Sequence, residues 1–242
     1  MSKYAVIGDP IAQSFSPLYF KEKFASLGMK GHSYEAIQVK DLIDLKGLLE
    51  QKDLAGFNVT IPHKQSIIPY LDKLSDAAAA IGAVNTVKID ASGQWQGYNT
   101  DYFGFRESLV RYLTKSHKHA LIFGTGGSSR AIRFALRQLG VAYTFVSRNS
   151  EKGVTYDELT TDIILDNKLL INTTPVGMSP FEANTLELPY EGITKNHLCY
   201  DLVYNPQKTL FLNKAEGQGA IVINGLEMLH LQADKAWDIW KS

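Results

Sequence analysis

Short apolar runs and stretches of helical apolar spacing alternate along most of the chain. Apolar runs of about four to eight residues, bounded by Gly, Pro, Asn or Ser, are typical of buried strands. We predict strands at 4–8, 34–39, 56–60, 84–89, 94–98, 120–123, 141–146, 168–172, 198–203 and 220–223. Helical spacing between them predicts helices at 16–28, 41–49, 75–80, 101–113, from the glycines at 124–127 to about 140, at 206–216 and from 226 onwards. This alternation predicts an α/β fold with parallel sheets.

The most informative stretch is residues 119–131, His-Ala-Leu-Ile-Phe-Gly-Thr-Gly-Gly-Ser-Ser-Arg-Ala. Its apolar strand turns through Gly124, Gly126 and Gly127 into a helix. Such a turn aims several backbone N–H groups and the positive end of a helix dipole at one spot. We therefore predict a pyrophosphate site here, with Ser129 in place of the third glycine of the usual motif. A tight turn that binds no ligand is the alternative.

The next predicted strand ends at Ser147-Arg148-Asn149, and Arg148 lies 22 positions after Gly126. An NAD-binding protein places an Asp or Glu near this offset, where it binds the ribose 2′-hydroxyl. A guanidinium there can instead bind a 2′-phosphate through two hydrogen bonds. The residue favours NADP over NAD, and a solvated surface arginine is the alternative.

The predicted elements group into two domains. Strand, helix and strand within the first 60 residues form a unit apart from the glycine turn, and the last helix has no strand after it. We predict an open α/β substrate-binding domain over 1–100, completed by the C-terminal helix 226–242. A Rossmann-like dinucleotide-binding domain over 101–225 follows, with a cleft between the two. Only 19 residues, 149–167, connect two of its strands, so we expect a shortened crossover.

Composition narrows the class of protein. Lys plus Arg, 25 residues, balance Asp plus Glu, 25 residues, so no net field favours a nucleic acid or membrane partner. One cysteine, Cys199, is typical of a reducing compartment, and we expect a cytoplasmic location. His117 and His119 have no ligand-spaced partners, so we predict no metal site.

Polar residues follow several predicted strands. Asn58, Thr60 and Lys64 stand at one strand end and turn, Asn85 precedes the next strand, and Asp101 follows a third. Open α/β sheets bind ligands beyond their strand ends, so we expect these side chains to converge. A lysine near developing negative charge can stabilise it and supply a proton, whereas a solvated surface lysine is the common alternative.

Two serines stand in the loop between the first predicted strand and helix. Ser16 suits the helix N-cap, because Pro17 follows it. Ser14 has no such role, and ligand contact or a loop hydrogen bond remain equally open.

Seven short motifs are spread along the chain between residues 14 and 232. They are Ser14-Phe-Ser16-Pro17, Asn58-Val-Thr60-Ile-Pro-His-Lys64, Ala83-Val-Asn85-Thr, Gly97-Tyr-Asn-Thr-Asp101, Gly124-Thr-Gly-Gly-Ser-Ser-Arg130-Ala, Asp201-Leu-Val-Tyr204-Asn-Pro and Asn224-Gly225-Leu-Glu-Met228-Leu-His-Leu-Gln232. In these motifs and in their order, the chain resembles the shikimate dehydrogenase family.

Family membership would imply reversible, NADP-linked interconversion of 3-dehydroshikimate and shikimate, a step of aromatic amino acid biosynthesis. It implies Lys64 and Asp101 as the catalytic pair. The implied substrate contacts are Ser14, Ser16, Thr60, Lys64, Asn85, Asp101, Tyr204 and Gln232. The implied cofactor contacts are Gly124, Thr125, Gly126, Gly127, Ser128, Arg148, Lys152, Leu202 and Gly225.

Two features depart from the family pattern, and both concern the adenosine end of the cofactor. The family usually has Asn-Arg-Thr followed by a second basic residue, whereas this chain has Ser147-Arg148-Asn149 and then Lys152. The helical crossover is also short. A quinate/shikimate dehydrogenase that uses NAD, or a ligand-sensing relative without turnover, are the alternatives. A monomer and a homodimer both remain open.

Overall fold

The computed structural model describes residues 2–12 and 14–242. The chain forms two compact units. The first runs to Asp101 and also contains Gln232–Ser242, and the second is Tyr102–Leu231. The α/β fold class predicted from the sequence is confirmed. None of the helices in these ranges has the length and apolar character needed to span a bilayer.

The first unit contains a mixed sheet of six strands. They are β1 (Lys3–Gly8), β2 (Ser33–Gln38), β3 (Leu54–Val59), β4 (Lys73–Leu74), β5 (Thr86–Ile89) and β6 (Trp95–Tyr98). Their spatial order is β2-β1-β3-β5-β6-β4. Because β5 pairs antiparallel to both β3 and β6, its amino end lies at the same edge as their carboxyl ends. The sequence pattern missed β4, which has two residues.

Three helices and part of a fourth cover this sheet. They are α1 (Ser16–Ser26), α2 (Leu45–Glu50), α3 (Asp76–Ile81) and the last part of α8 (Leu226–Lys241). Trp240 of α8 stacks on Tyr4 with ring centroids 4.6 Å apart, and its Nε1 donates a hydrogen bond to the Val87 carbonyl at 2.9 Å. The final helix therefore belongs partly to the first unit's core.

The second unit contains a fully parallel sheet in the order β11-β10-β9-β7-β8. Its strands are β7 (His119–Phe123), β8 (Ala142–Val146), β9 (Leu169–Asn172), β10 (Leu198–Asp201) and β11 (Ile221–Ile223). The unit's other helices are α4 (Asp101–Leu109), α5 (Gly127–Gln138), α6 (Thr161–Asp166) and α7 (Leu210–Gly217). Successive strand residues face two separate apolar cores, so the strands are apolar on both sides.

The chain leaves β7 for β8 on one side and returns to β9 on the other. This reversal of direction is the point where open α/β sheets bind nucleotides. The expected short crossover contains a single parallel bridge between Val146 and Val154. One bridge residue therefore lies beside β8, where a third strand stands in the usual six-stranded order.

Three local expectations differ from the structure. Ser16 is the first residue of α1, and Phe15 is its N-cap. α7 begins at Leu210 instead of Pro206, because the Thr209 side chain caps it by accepting a hydrogen bond from the Leu212 N–H. α6 was missed as a helix, although Thr160 caps it in the same way.

Candidate active site

Polar side chains of the first unit meet at one edge of its sheet. The chain continues from the carboxyl end of β3 into the turn that carries Thr60 and Lys64, and from β6 into Thr100 and Asp101. Asn85 precedes β5, and the reversed direction of β5 brings it to the same edge. Backbone hydrogen bonds fix this arrangement: the Val59 N–H donates to the Asn85 carbonyl at 2.9 Å.

Lys64 and Asp101 form a largely buried ion pair. The Lys64 Nζ lies 2.7 Å from the Asp101 Oδ2, and the two side chains are 13% and 8% exposed. The Lys64 backbone is held as well, since its carbonyl accepts a hydrogen bond from the Val84 N–H at 2.7 Å. The sequence prediction that these strand ends converge therefore agrees with their geometry.

Asn85 connects this ion pair to its neighbours. Its Nδ2 lies 2.9 Å from the Asp101 Oδ1 and 3.3 Å from the Gln232 Oε1. Its Oδ1 accepts a hydrogen bond from the Thr100 N–H at 2.7 Å. Gln232 stands at the point where the chain re-enters the first unit. The buried cluster of Lys64, Asn85, Thr100, Asp101 and Gln232 is called the polar cluster below.

The other predicted substrate contacts of this unit lie in two loops. Ser14 and Ser16, both half-buried, stand just before and at the start of α1. Half-buried Thr60 donates its N–H to the Ile7 carbonyl at 2.9 Å. None of these three side chains belongs to the polar cluster.

Sequence reasoning missed Tyr34. Its hydroxyl donates to the Asn58 Oδ1 at 2.6 Å, and Asn58 in turn donates to the Asn85 carbonyl at 3.0 Å. Burial raises the pKa of Tyr34 well above its usual value, and a hydrogen bond from Ser16 acts in the opposite direction. Tyr34 lies next to Glu35 in β2, an edge strand. No feature of the sequence indicated that the Tyr34 hydroxyl contacts a polar side chain.

The glycine turn of the second unit lies between β7 and α5. Gly124 has φ +103°, and a Cβ there would lie 2.9 Å from both the Thr173 Oγ1 and the Thr174 Cγ2. Only glycine fits this position. A Cβ on Gly126 would meet no described atom within 4 Å, so space remains in front of the helix N-terminus.

The residues that flank this turn also lie at the N-terminus of α5. Gly127 and Ser128 begin α5, and Thr125 is half-buried. Ser129 is buried, and its hydroxyl donates to the Gly126 carbonyl at 2.7 Å. A small side chain therefore takes the place of the usual third glycine.

Arg148 and Lys152 follow β8 and are exposed. Within the described ranges, neither forms an ion pair. Arg148 lowers the pKa of Tyr156, which burial raises overall. The positive charge of Arg148 therefore acts on the Tyr156 hydroxyl, while the Arg148 side chain is exposed to solvent.

Leu202, Tyr204 and Gly225 stand after β10 and β11, at the carboxyl edge of the second sheet. The Gly225 N–H donates to the Val203 carbonyl at 3.1 Å. A Cβ on Gly225 would lie 2.0 Å from the Leu202 oxygen. Glycine is therefore required there to bring the start of α8 against the loop after β10.

No group of three or more His, Cys, Asp or Glu side chains in the described part of the chain is arranged to hold a metal ion. Residues 6–87 match the family model described as the shikimate dehydrogenase substrate binding domain. Shikimate dehydrogenase (NADP(+)) of Staphylococcus haemolyticus is 38% identical over 98% of this chain and 92% of its own length.

Two solved dehydrogenase structures are similar to this chain over nearly its whole length. Shikimate 5-dehydrogenase of Thermus thermophilus, solved with NADP(H) and shikimate, has a TM-score of 0.88 and 34% identity over 99% of this chain and 93% of that one. Quinate dehydrogenase of Corynebacterium glutamicum, solved with NAD, also has a TM-score of 0.88, at 27% identity over 99% and 93%. The chain belongs to the shikimate dehydrogenase family.

Proposed function

We propose that this chain is an NADP-dependent shikimate dehydrogenase, which interconverts 3-dehydroshikimate and shikimate in aromatic amino acid biosynthesis. The observation that carries this proposal is the buried Lys64–Asp101 pair, 2.7 Å apart, held within a polar cluster at a sheet edge. The 38% identity to an NADP-dependent relative over nearly the whole chain supports it.

Shikimate is a carboxylated cyclohexene triol, so its site needs hydroxyl donors for the carboxylate and a polar group for the ring hydroxyls. We assign the carboxylate to Ser14 and Ser16, whose half-buried side chains lie apart from the polar cluster. Thr60 and Tyr204 complete the proposed substrate contacts. An anion beside hydroxyls at the start of α1 also gains from the helix dipole.

The ring hydroxyls are assigned to Lys64, Asn85, Asp101 and Gln232. Lys64 offers donors only, Asp101 accepts when ionised, and the two amides do both. A triol needs such a mixture, because each hydroxyl both donates and accepts. The hydrogen bonds within the polar cluster hold these groups in place before the substrate binds.

Lys64 carries the proton chemistry. In the reductive direction, negative charge grows on the carbonyl oxygen, and the Lys64 ammonium stabilises that charge and gives the oxygen a proton. In the oxidative direction, the Lys64–Asp101 pair accepts the proton of the substrate hydroxyl. Asp101 holds the ammonium through the 2.7 Å contact, and Asn85 holds Asp101 through its other oxygen.

The second unit fits a dinucleotide. The cradle at Gly124, which a Cβ would fill, and the open space at Gly126 lie beside the N-terminus of a twelve-residue helix. Backbone N–H groups of such a turn suit a pyrophosphate. We assign the pyrophosphate to Gly124, Thr125, Gly126, Gly127 and Ser128.

Arg148 and Lys152 would hold the 2′-phosphate of NADP, since both are exposed cations after β8. Leu202 and Gly225 would hold the nicotinamide end at the carboxyl edge of the second sheet. When bound, NADP supplies or takes up the hydride of the reaction.

The test is a spectrophotometric assay at about 340 nm, where the reduced nicotinamide absorbs, with shikimate and quinate each combined with NADP and NAD. We expect the highest kcat/KM with shikimate and NADP. Absence of turnover in all four combinations, with folded protein that binds shikimate, would instead favour the ligand-sensing relative.

A quinate/shikimate dehydrogenase that uses NAD is the second candidate. The observation in its favour is the high structural similarity to the C. glutamicum quinate dehydrogenase, which was solved with NAD. Quinate carries one more hydroxyl at the carboxylate-bearing carbon, so Ser14 and Thr60 are the side chains that would meet it. Equal kcat/KM for quinate and shikimate would support this candidate.

We further infer a cytoplasmic enzyme with a small-molecule substrate and no nucleic acid or membrane partner. The balanced charge, and a single cysteine that is buried, support this inference. For the oligomeric state, the proposal extends only to a monomer or a homodimer.

A further inference from the structure

Asp201 is a fully buried carboxylate at the carboxyl end of β10. Its Oδ1 accepts hydrogen bonds from the Asn172 Nδ2 and the Val203 N–H, both at 2.9 Å. Its Oδ2 accepts one from the Thr209 hydroxyl at 2.6 Å. One carboxylate therefore joins the end of β9, the loop after β10 and the cap of α7.

Asn172 connects Asp201 to Thr174, which lies beside the glycine turn. An ionised carboxylate only accepts hydrogen bonds, so the Asn172 Nδ2 must face Asp201 and its Oδ1 must face the other way. That oxygen accepts hydrogen bonds from the Thr174 N–H at 2.9 Å and from the Thr174 hydroxyl at 2.7 Å. The Asn172 Nδ2 also donates to the Val176 carbonyl at 3.3 Å, so Asp201 acts together with Val176 and the Thr174 N–H in orienting the Asn172 amide.

Thr174 packs against the turn that we assign to the pyrophosphate. Its Cγ2 would lie 2.9 Å from a Cβ on Gly124. The neighbouring Thr173 donates its hydroxyl to the Phe123 carbonyl at 2.7 Å. Hydrogen bonds therefore connect Asp201 through Asn172 to Thr174, and the Thr174 side chain lies beside Gly124, the residue that opens the turn.

We propose that Asp201 is a positioning residue for coenzyme binding, which orients Asn172 and, through Thr174, fixes the backbone of the glycine turn. Asp201 itself does not touch the coenzyme in this scheme. The inference rests on the proposed function in one respect only, namely that the turn binds a dinucleotide.

The surroundings of Asp201 allow its carboxylate to accept all of its hydrogen bonds near neutral pH. Burial raises its pKa to about 6, and the hydrogen bonds from Thr209, Val203 and Asn172 oppose that rise. The group is therefore ionised near neutral pH and accepts all three bonds. The negative charge of Asp201 contributes to the raised pKa of the Tyr190 hydroxyl.

The test measures the Kd for NADP by isothermal titration calorimetry at about 20 °C, together with Tm. We expect Asp201→Ala and Asn172→Ala each to weaken NADP binding about tenfold, the factor that about 1.4 kcal/mol from one lost buried hydrogen bond gives. The double variant should lose no more than the weaker-binding single variant, because both changes break one chain of contacts. Asp201→Asn should restore near wild-type affinity, since its Oδ1 can still accept from Asn172 and Val203.

Tyr200→Phe is the matched control. Tyr200 precedes Asp201 in β10, is fully buried, and shares a 2.7 Å hydrogen bond with the Ser108 hydroxyl. We expect this variant to lower Tm and to leave the Kd for NADP unchanged.

Wild-type affinity in Asp201→Ala, additive losses in the double variant, or an equal loss in Tyr200→Phe would each overturn the inference. If Asp201→Ala does not fold, Asn172→Ala decides alone, and an unchanged Kd refutes the scheme. Wild-type protein that binds no NADP would overturn the proposed function and this inference together.

Discussion

Replacement of Lys64 by alanine tests the central step of the proposed chemistry. The change removes the ammonium that lies 2.7 Å from Asp101 in a site where the two side chains are 13% and 8% exposed. A positioned acid or base contributes roughly 10²- to 10⁴-fold to a rate. At about 1.4 kcal/mol per factor of ten, this equals about 3–6 kcal/mol of transition-state stabilisation.

We therefore expect Lys64→Ala to lower kcat by about 10²- to 10⁴-fold and to raise the KM for shikimate much less. Interactions that act mainly in the transition state affect kcat in this way. The assay is steady-state oxidation of shikimate with saturating NADP, followed at about 340 nm. Circular dichroism must accompany it, because removing one partner of a buried ion pair can cost about 3–5 kcal/mol of folding stability.

Lys46→Ala is the matched control, since Lys46 lies in the same unit and forms an exposed ion pair with Asp72 at 3.4 Å. It should retain wild-type kcat. Asp101→Asn should also lower kcat, and the double variant of Lys64 and Asp101 should lose far less than the product of the two single losses. A kcat for folded Lys64→Ala within threefold of wild type, or an equal fall in Lys46→Ala, would refute the assigned role.

Three further predictions follow from other parts of the structure. Arg148→Ala should weaken catalysis with NADP more than with NAD, since the exposed guanidinium is assigned to the 2′-phosphate; equal losses in kcat/KM would contradict this. Trp240→Phe removes the hydrogen bond to the Val87 carbonyl and should lower the free energy of unfolding in urea by about 1–3 kcal/mol, with m unchanged. The His197 Nδ1 accepts a hydrogen bond from the Thr194 N–H at 2.9 Å, and burial lowers the pKa of His197. The contribution of neutral His197 to folding stability is therefore complete above the usual histidine pKa of about 6.5, and it is lost as the pH falls below that value. The fall in Tm between pH 7.5 and 5.5 should accordingly be smaller in His197→Gln, and an identical fall would exclude His197 as the cause.

The sequence was most informative where one local pattern determines a structure. Gly124, Gly126 and the apolar strand before them predicted the strand, turn and helix that the structure contains. The short connection after β8 was also predicted, because its length can be counted. α6 was missed, since its six residues are too few for helical spacing to stand out.

The polar cluster shows why the remaining features could not be predicted. Asn85 reaches Asp101 only because β5 runs against its neighbours, and no local signal distinguishes that direction. The contact of Asn85 with Gln232 joins residues 147 positions apart. The hydrogen bond of Tyr34 is equally hard to predict, since its partner Asn58 lies in another strand. Pairing between distant segments determines these contacts, and a single sequence does not reveal it.

The shortened crossover affects two parts of the proposed cofactor site differently, namely the 2′-phosphate contacts after β8 and the pyrophosphate turn at Gly124. Among residues 2–12 and 14–242, Val154 alone pairs with β8 on its outer side, whereas β7 keeps four paired positions with β9 and five with β8. The loss of structure is therefore confined to the side of the sheet where Arg148 follows β8. Gly124 and Thr174 lie at the junction of β7 and β9, which retains its full pairing. The two regions are joined through the backbone, where the Gly124 N–H donates to the Val146 carbonyl at 2.9 Å. A change of the Arg148 or Lys152 side chain leaves this backbone bond in place, so recognition of the 2′-phosphate can vary in this family member while the pyrophosphate cradle keeps its geometry.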